Sequence, residues 1–557
     1  MAEREWTPDQ KNAIEARGGM LLVSAAAGSG KTAVLVERVV QRLLDPINGC
    51  DADRLLVVTF TKAAAAEMRE RISAALSARL AARPDDARLL RQQMLLPCAA
   101  ICTIDSFCND LVRENFHRLD LAPDYKILDA GELTLLRSEA MDIAMEEFYQ
   151  KGDPAFTELL ELVRKGRDDA ELTETVSRLY DYTQAYPFPE EWIQHARALC
   201  RADLPEQENP WMAEIRAYLA QALAFAQHTA QSACALLETE PALCEKYAPA
   251  FDSDLNALTR VQAALTGGWD ALCDALNAIS FVRMPNAPRE YANSPIKAAA
   301  KESRDRVKDT VKKMQESLCA NAAENAEDMA YLAPLLNQLF DLTLRFSEEF
   351  TRLKRGRHAA DFSDIEHMAL SLLVERKGGT LCRSPLAQEL SARYKEILVD
   401  EYQDTNEAQD LLFRMLSREE SNLFLVGDVK QSIYRFRQAM PEIFLHRRNR
   451  LPPYVRGNYP ARITLGCNFR SRKGVTGMVN FLFRQLMSRQ LGEMEYTQEE
   501  ALVPAAPYPE RQDPDCEIHL LDAGDKGDDS AAVYEARYIA ALSLIHISEP
   551  TRRSYIS

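Results

Sequence analysis

"SAAAGSGKT", Ser24 to Thr32, lies between a short apolar run, MLLVSA (20–25), and an amphipathic stretch, AVLVERVVQRLL (33–44). A short apolar, β-branched-rich run followed by a helical pattern reads as a buried strand turning directly into a helix. Glycines at 28 and 30 let backbone N–H groups turn inward, and the helix N-terminus adds positive potential, so the turn can cradle phosphate. Lys31 can then reach the β- and γ-phosphates, and the Thr32 hydroxyl can ligate Mg²⁺. The stretch departs from the glycine-x4-glycine-lysine-Ser/Thr pattern only at Ala25, where the first glycine is usual. Gly28, Ser29 and Gly30 build the turn itself, so the cradle survives that change. The bland alternative is a glycine-rich turn with no ligand. Strand, turn, lysine and helix standing in register speak against it, and the expected ligands are ATP and Mg²⁺.

Five further runs have the same character: RLLVVTF (54–60), AAICT (99–103), EILVD (396–400), NLFLVG (422–427) and RITLG (462–466). Continuous apolar strands alternating with helical patterns predict an α/β fold, a doubly wound parallel sheet covered on both faces. The fourth of the six runs, EILVD, leads into DEYQDTN, Asp400 to Asn406. A phosphate-binding turn needs an acidic element on a neighbouring strand, so Asp400 is expected to hold Mg²⁺ and Glu401 to polarise the attacking water. An acidic helix cap is the competing reading of the same residues.

From about 120 to 360 the pattern turns helical, broken at proline-rich joints such as YPFPEEW and MPNAPREYANSP. It predicts a mostly helical insertion. The expected division is 1–120 for the first part of a sheet domain, 121–350 for the insertion, 351–450 for the second part, 451–541 for the start of another α/β domain, and 542–557 for a tail.

Composition narrows the class. The 557 residues are 46% hydrophobic and 27% charged, those of an ordinary globular protein too long for one core. No apolar run is long enough to span a membrane, and MAEREWTPDQ carries no apolar leader core. Twelve scattered cysteines without paired metal spacing, Cys98, Cys102 and Cys108 being the densest set, read as free thiols in a reducing cytoplasm. A net charge of −17 taken alone argues against nucleic acid, but binding uses local patches. The basic clusters RLKRGRH (352–358), HRRNR (446–450) and FRSRK (469–473) are solvated faces by default. Phe60, Tyr434 and Phe436 follow strand ends, where loops can offer rings to bases, and Thr59, Thr61, Thr103 and Ser106 can bond phosphates.

Several segments in order carry a resemblance: WTPDQKNAI, VVTFTKAAAAEMRERI, CTIDSFCNDLVRENF, DEYQDTN, LVGDVKQSIYRFRQA and LGCNFRSRKGV. Together they resemble superfamily 1 DNA helicases of the UvrD/Rep type and, more narrowly, the A subunits of AddAB-type helicase–nucleases, over nearly all of residues 5–541. LYDYTQAYPFPEEW and HAADFSDIEHMALSLL are similar to segments of that narrower group. One departure is Asp105, where many relatives have histidine. The resemblance implies two RecA-like motor domains and ATP-driven 3′ to 5′ translocation on DNA. It also implies a role in processing double-strand DNA ends for recombination, together with an AddB-type partner. It implies that Gln10 reads adenine, that Phe469 stacks on it, and that Gln431 senses the γ-phosphate. It further implies that Arg470 is an arginine finger delivered across a cleft, and that Phe60, Tyr434, Phe436 and Arg437 grip single-stranded DNA.

PDYKILD (123–129) spells the Asp-Tyr-Lys element of the family's nuclease at Asp124, Tyr125 and Lys126. Its place at the entrance to the insertion, without an upstream glycine-rich aspartate element, argues for a plain strand-like segment. The remaining motifs of the second motor domain and the nuclease are expected beyond this chain. LSLIHISEPTR, within 542–557, resembles a translated library adapter, so this tail is expected to be exposed and poorly packed. Two other classes compete: an ABC- or SMC-like ATPase, which would need an LSGGQ-type signature that is absent, and a fragment that binds ATP and DNA without turnover.

Overall fold

The computed structural model describes residues 5–548 except 120, 167, 292, 319, 510–513, 523, 525, 526, 528 and 529. The chain divides into two compact units. One comprises Met1–Phe107, Glu375–Thr405 and Phe413–Ser557, and the other Cys108–Val374 with Asn406–Leu412.

The first unit is built on six strands: β1 (Leu21–Ala25), β2 (Leu55–Thr59), β3 (Ala100–Thr103), β4 (Glu396–Val399), β5 (Leu423–Gly427) and β6 (Ala461–Leu465). They form one sheet in the order β6-β1-β5-β4-β2-β3, every pair parallel. β1, β2, β4 and β5 are buried along their whole length, which is why their sequences are continuously apolar rather than alternating. All six coincide with the six apolar runs. One assignment changes. The sequence places the run at 462–466 in a second motor domain, after a linker at 451. It is instead the edge strand of the first sheet, with Leu21 opposite Ala461 and Ala25 opposite Leu465. Its alternating burial, inside at Ala461, Ile463 and Leu465, suits an edge strand with one covered face.

Helices α1 (Pro8–Glu15), α2 (Lys31–Leu44) and α3 (Lys62–Ala82) pack with this sheet unit, α2 and α3 directly after strand ends. Thr7 and Gln10 form a reciprocal capping box on α1, with Pro8 in its first turn, and Thr61 caps α3. α2 lays Val34, Leu35, Val39, Val40 and Leu43 into the core with the strands. A charged pair is buried in that core. The Arg38 Nε donates to Glu396 Oε1 at 2.9 Å, its Nη1 to the Ala13 carbonyl at 2.6 Å, and its guanidinium lies 4.0 Å from the Phe424 ring centre. Burial pushes the Glu396 carboxyl upward, and Arg38, Arg42 and Arg17 more than offset it.

The second unit is helical. α4 (Ala130–Lys151) and α9 (Ala322–Gly356) share one core, Leu136, Ala140, Ala144 and Phe148 meeting Leu342, Phe346 and Phe350. Between them in sequence, α5 (Pro210–Leu237), α6 (Pro241–Ala264), α7 (Trp269–Asn277) and α8 (Pro295–Ser317) form another core around Leu223, Phe251, Leu272 and Val307. The expected limits of 121–350 are too narrow: the unit reaches from 108 to 374 and adds 406–412.

The basic cluster at 352–358 is not a uniformly solvated face. Lys354 is buried, with its Nζ 2.8 Å from Asp361 and 2.7 Å from Asp364, and Arg357 pairs with Glu139. The Asp124–Lys126 stretch is structural, as its position implies. Lys126–Ile127 pairs with Ala359–Ala360, the buried Tyr125 donates its hydroxyl to Asn109, and Lys126 pairs with Glu132. Of the tail at 542–557, Leu542–Ser548 continue the helix Ala531–Ser548, and 549–557 lie outside the described residues.

A candidate nucleotide and nucleic-acid site

The turn after β1 has the shape its glycines predict. Gly28 and Gly30 take φ of +71° and +79°, a conformation that strains residues with a side chain. Gly28 is also hemmed in: a Cβ there would lie 2.6 Å from Asn468 Nδ2 and 3.0 Å from Arg470 Cβ. Ser29 is buried, and its hydroxyl has no partner among the described residues. Gln10 holds the turn from behind. Its Nε2 donates to the Ser29 carbonyl at 2.9 Å, and its Oε1 accepts from Thr7 N at 3.0 Å. Both polar atoms of the residue expected to read adenine are therefore already bonded within the protein, one of them to the loop. Ala25 closes β1, and Thr32 follows Lys31 in the first turn of α2.

Lys31 faces the acidic strand end. Its Nζ is 2.5 Å from Glu401 Oε2. Glu401 sits in the left-handed region at φ +52°, which costs a residue with a side chain on the order of 1–3 kcal/mol. Asp400 follows β4, and its Oδ1 accepts from Glu401 N at 3.0 Å. Burial raises its carboxyl to about 6, Lys31 opposing the rise and Glu401 adding to it. A buried carboxylate held up in this way gains from a cation. The Thr32 hydroxyl, Asp400, the unpartnered Ser29 hydroxyl and Lys31 are thus the donor and acceptor types that a Mg²⁺-bound polyphosphate requires.

The segment after β6 reaches the same loop. The Asn468 Nδ2 donates to the Ala27 carbonyl at 2.7 Å, and Phe469 N donates to the Gly28 carbonyl at 2.9 Å. The Asn468 Oδ1 accepts from Arg470 N and Ser471 N at 3.0 and 2.7 Å. The expectation that Arg470 comes from across a cleft is therefore corrected. Its backbone is fastened to the phosphate loop through Asn468, because β6 lies beside β1 in one sheet. Arg470 itself is exposed.

Elsewhere along the sheet's strand ends, three rings from two sequence-distant segments meet. Phe60 lies 4.7 Å from Tyr434 and Tyr434 5.7 Å from Phe436, centre to centre, with the Arg437 guanidinium 5.5 and 5.8 Å from the last two rings. Phe436 is 74% exposed, an unusual state for a large apolar ring. The four hydroxyls are engaged locally. Thr59, buried, donates to the Thr61 carbonyl; Thr61 accepts from Ala64 N; Thr103, also buried, and Ser106 share a bond of 2.9 Å. Thr103 and Ser106 also line a cavity of about 590 Å³ with Lys62, Arg69 and Gln93. Burial raises the nearby Asp105 carboxyl, with Lys62 and Arg437 opposing. Gln431 donates to Asp428 Oδ2 at 2.8 Å.

Three residues of this site carried no assignment from sequence. They are Asn468, Gln403 and Asp428, all buried and all bonded across segments far apart in the chain. Each stands inside a quoted motif, so their presence was visible, but the partners that give them meaning were not.

A parallel six-stranded sheet with a glycine-rich phosphate turn leading from β1 defines a RecA-like P-loop domain. Residues 6–452 match the family model for the UvrD/REP helicase N-terminal domain, and the chain belongs to that family. Among curated relatives it is similar to proteins named as the A component of an ATP-dependent helicase/nuclease. It is 40% identical to that of Moorella thermoacetica over 93% of this chain and 38% of the relative. For Acetivibrio thermocellus the identity is 38%, over 94% and 43%, and for Geobacillus kaustophilus 38%, over 97% and 44%. The chain therefore spans 38–44% of the length of these relatives.

Proposed function

We propose that this chain is the nucleotide-binding motor portion of an ATP-dependent DNA helicase, one component of a helicase–nuclease that processes double-strand breaks for homologous recombination. The carrying observation is the 2.5 Å contact of Lys31 with Glu401, which places the phosphate-loop lysine and the acidic strand end on one another. When ATP enters, Lys31 leaves Glu401 for the β- and γ-phosphates, and Glu401 is freed to take a proton from the attacking water. Mg²⁺, held by Thr32 and Asp400, would offset charge on the phosphates. Arg470 reaches the transferring phosphate from a backbone already seated on the loop, and Gln431 carries its presence to the neighbouring ring cluster. Single-stranded DNA stacks on Phe60, Tyr434 and Phe436, with Arg437 and the cavity beside Thr103 and Ser106 on its backbone.

Tracking from 3′ to 5′, an AddB-type partner, a cytoplasmic location and continuation into further motor and nuclease segments belong to the same reading. They rest on the likeness to the A components. Among the described residues no helix is long and apolar enough to cross a membrane. A second reading, ATP and DNA binding without turnover, is favoured by the Lys31–Glu401 pair itself, in which two reacting groups neutralise each other. Mg²⁺-ATP hydrolysis with and without oligo-dT separates the two. Hydrolysis stimulated by DNA and abolished in Lys31→Ala and Glu401→Gln supports the motor. Binding of both ligands with no turnover supports the second reading, and binding of neither refutes both.

A further inference from the structure

We infer that Gln403 is a positioning residue that sets the orientation of Glu401 and couples the nucleotide site to the DNA-facing rings. This rests on the motor reading above. Gln403 is 1% exposed, and both polar atoms of its side chain are used. Its Nε2 lies 2.9 Å from Glu401 Oε2 and 3.0 Å from Asp404 Oδ2, and its Oε1 accepts from Asp428 N at 2.9 Å. An amide has one face that donates and one that accepts, and here two carboxylates and one N–H fix which is which. The site is shaped for it: a Cβ on Gly427 would lie 2.4 Å from the Gln403 Oε1.

The partners form a continuous path. Glu401 shares its Oε2 between Lys31 and Gln403. Once Lys31 turns to phosphate, the Gln403 amide is, among the described residues, the remaining side-chain hydrogen bond on that oxygen, and it fixes where the carboxylate lies. Beyond Gln403, Asp428 takes the Gln431 amide at 2.8 Å and the Lys430 ammonium at 2.9 Å. Three residues past Gln431 stands Tyr434, the middle ring of the cluster. A shift of Glu401 on nucleotide binding is thus passed through one rigid amide to the loop that presents the rings.

The test compares the full chain with Gln403→Met, close in volume but unable to form these bonds, and Gln403→Glu, which sets a third carboxylate against two. Two quantities are read. One is kcat and KM for DNA-stimulated ATP hydrolysis. The other is the factor by which a non-hydrolysable ATP analogue with Mg²⁺ changes the Kd for a fluorescent oligo-dT, a coupling that needs no turnover. Both variants are expected to keep the parent's nucleotide Kd within about threefold. Each is expected to lose about 100-fold in kcat, the scale of a misplaced reacting group, and to bring the coupling factor to about 1. A variant with the parent's kcat and coupling factor overturns the inference, as does a loss of nucleotide affinity and melting temperature together, which would mark simple unfolding of the site. A parent chain that binds neither ligand instead refutes the motor reading.

Discussion

In the helical unit, Arg304 and Asp254 are both almost wholly buried and satisfy one another. Nε and Nη2 of Arg304 reach the two carboxylate oxygens at 2.7 and 3.1 Å, and Nη2 also meets the Val282 carbonyl. Lys354 is enclosed by Asp361 and Asp364, although burial and Asp361 together raise the Asp364 carboxyl. In the sheet unit, Asp400 and Asp404 are held with too few partners, and burial lifts both carboxyls to about 6. Asp404 Oδ1 and Ser29 Oγ have no hydrogen-bond partner among the described residues. The sheet unit also buries the Arg38–Glu396 pair, with Arg42 3.4 Å from the second Glu396 oxygen. Underpaired buried groups also occur in the scaffold, so it is their position beside the phosphate turn that makes Asp400, Asp404 and Ser29 candidates for meeting a charged ligand.

Substitutions separate the two kinds of buried charge. The largest effect is expected for Arg304→Ala, which strands Asp254 in an apolar interior. It should cost about 3–5 kcal/mol in unfolding free energy, read by denaturant titration. If ATP binding by the sheet unit disappears with it at low denaturant, the two kinds of charge are not separable. Next is Lys31→Ala, expected to lower hydrolysis about 10²–10³-fold while leaving the denaturation midpoint within measurement error. A fall in midpoint comparable to that of Arg304→Ala would erase the distinction. Tyr434→Ala, read by oligo-dT binding at fixed salt, should weaken affinity by about 1–3 kcal/mol, the range for one stacked base.

The smallest effect is a dependence of stability on pH. The Asp404 carboxyl has its ordinary value of 3.8 in the unfolded chain and about 6 in the fold, raised by burial, with a Ser432 hydrogen bond opposing and Glu401 adding. A raised carboxyl gives stability that is fully present below 3.8 and is lost as pH rises through 6. Asp404→Asn should therefore flatten the dependence of melting temperature on pH between about 4 and 6. An unchanged slope would remove Asp404 from the underpaired set.

Local pattern carried much of the fold. The six strands were legible because each is a short apolar run bounded by turns, and the phosphate loop because its chemistry is contiguous. The meeting of Phe60 with Tyr434 was legible only as a shared role, since their contact spans the whole insertion. What could not be read were partners. Nothing local to RITLG says that it pairs with β1 rather than opening another sheet. Asn468 looks like any turn asparagine until the Ala27 carbonyl is beside it. The four hydroxyls suit phosphates by type, yet at Thr61 the nearest claimant is the start of the helix that it caps. Lys354 stands in a run of basic residues that reads as solvent-facing. Its burial depends on two aspartates seven and ten residues further on.

The strand order has a consequence for how the chain is made. β1 ends at Ala25, but its two sheet neighbours begin at Leu423 and Ala461. A ribosome adding about 5–20 residues per second needs roughly 20–80 s to cover the intervening ~400 residues. For that interval LLVSA emerges with both edges bare, while β2 and β3 can pair with each other and the helical unit can complete itself. The most chemically important strand of the molecule is thus the one that waits longest for its neighbours, and a nascent chain stalled before residue 423 would present it to any chaperone, or any other unpaired strand, within reach.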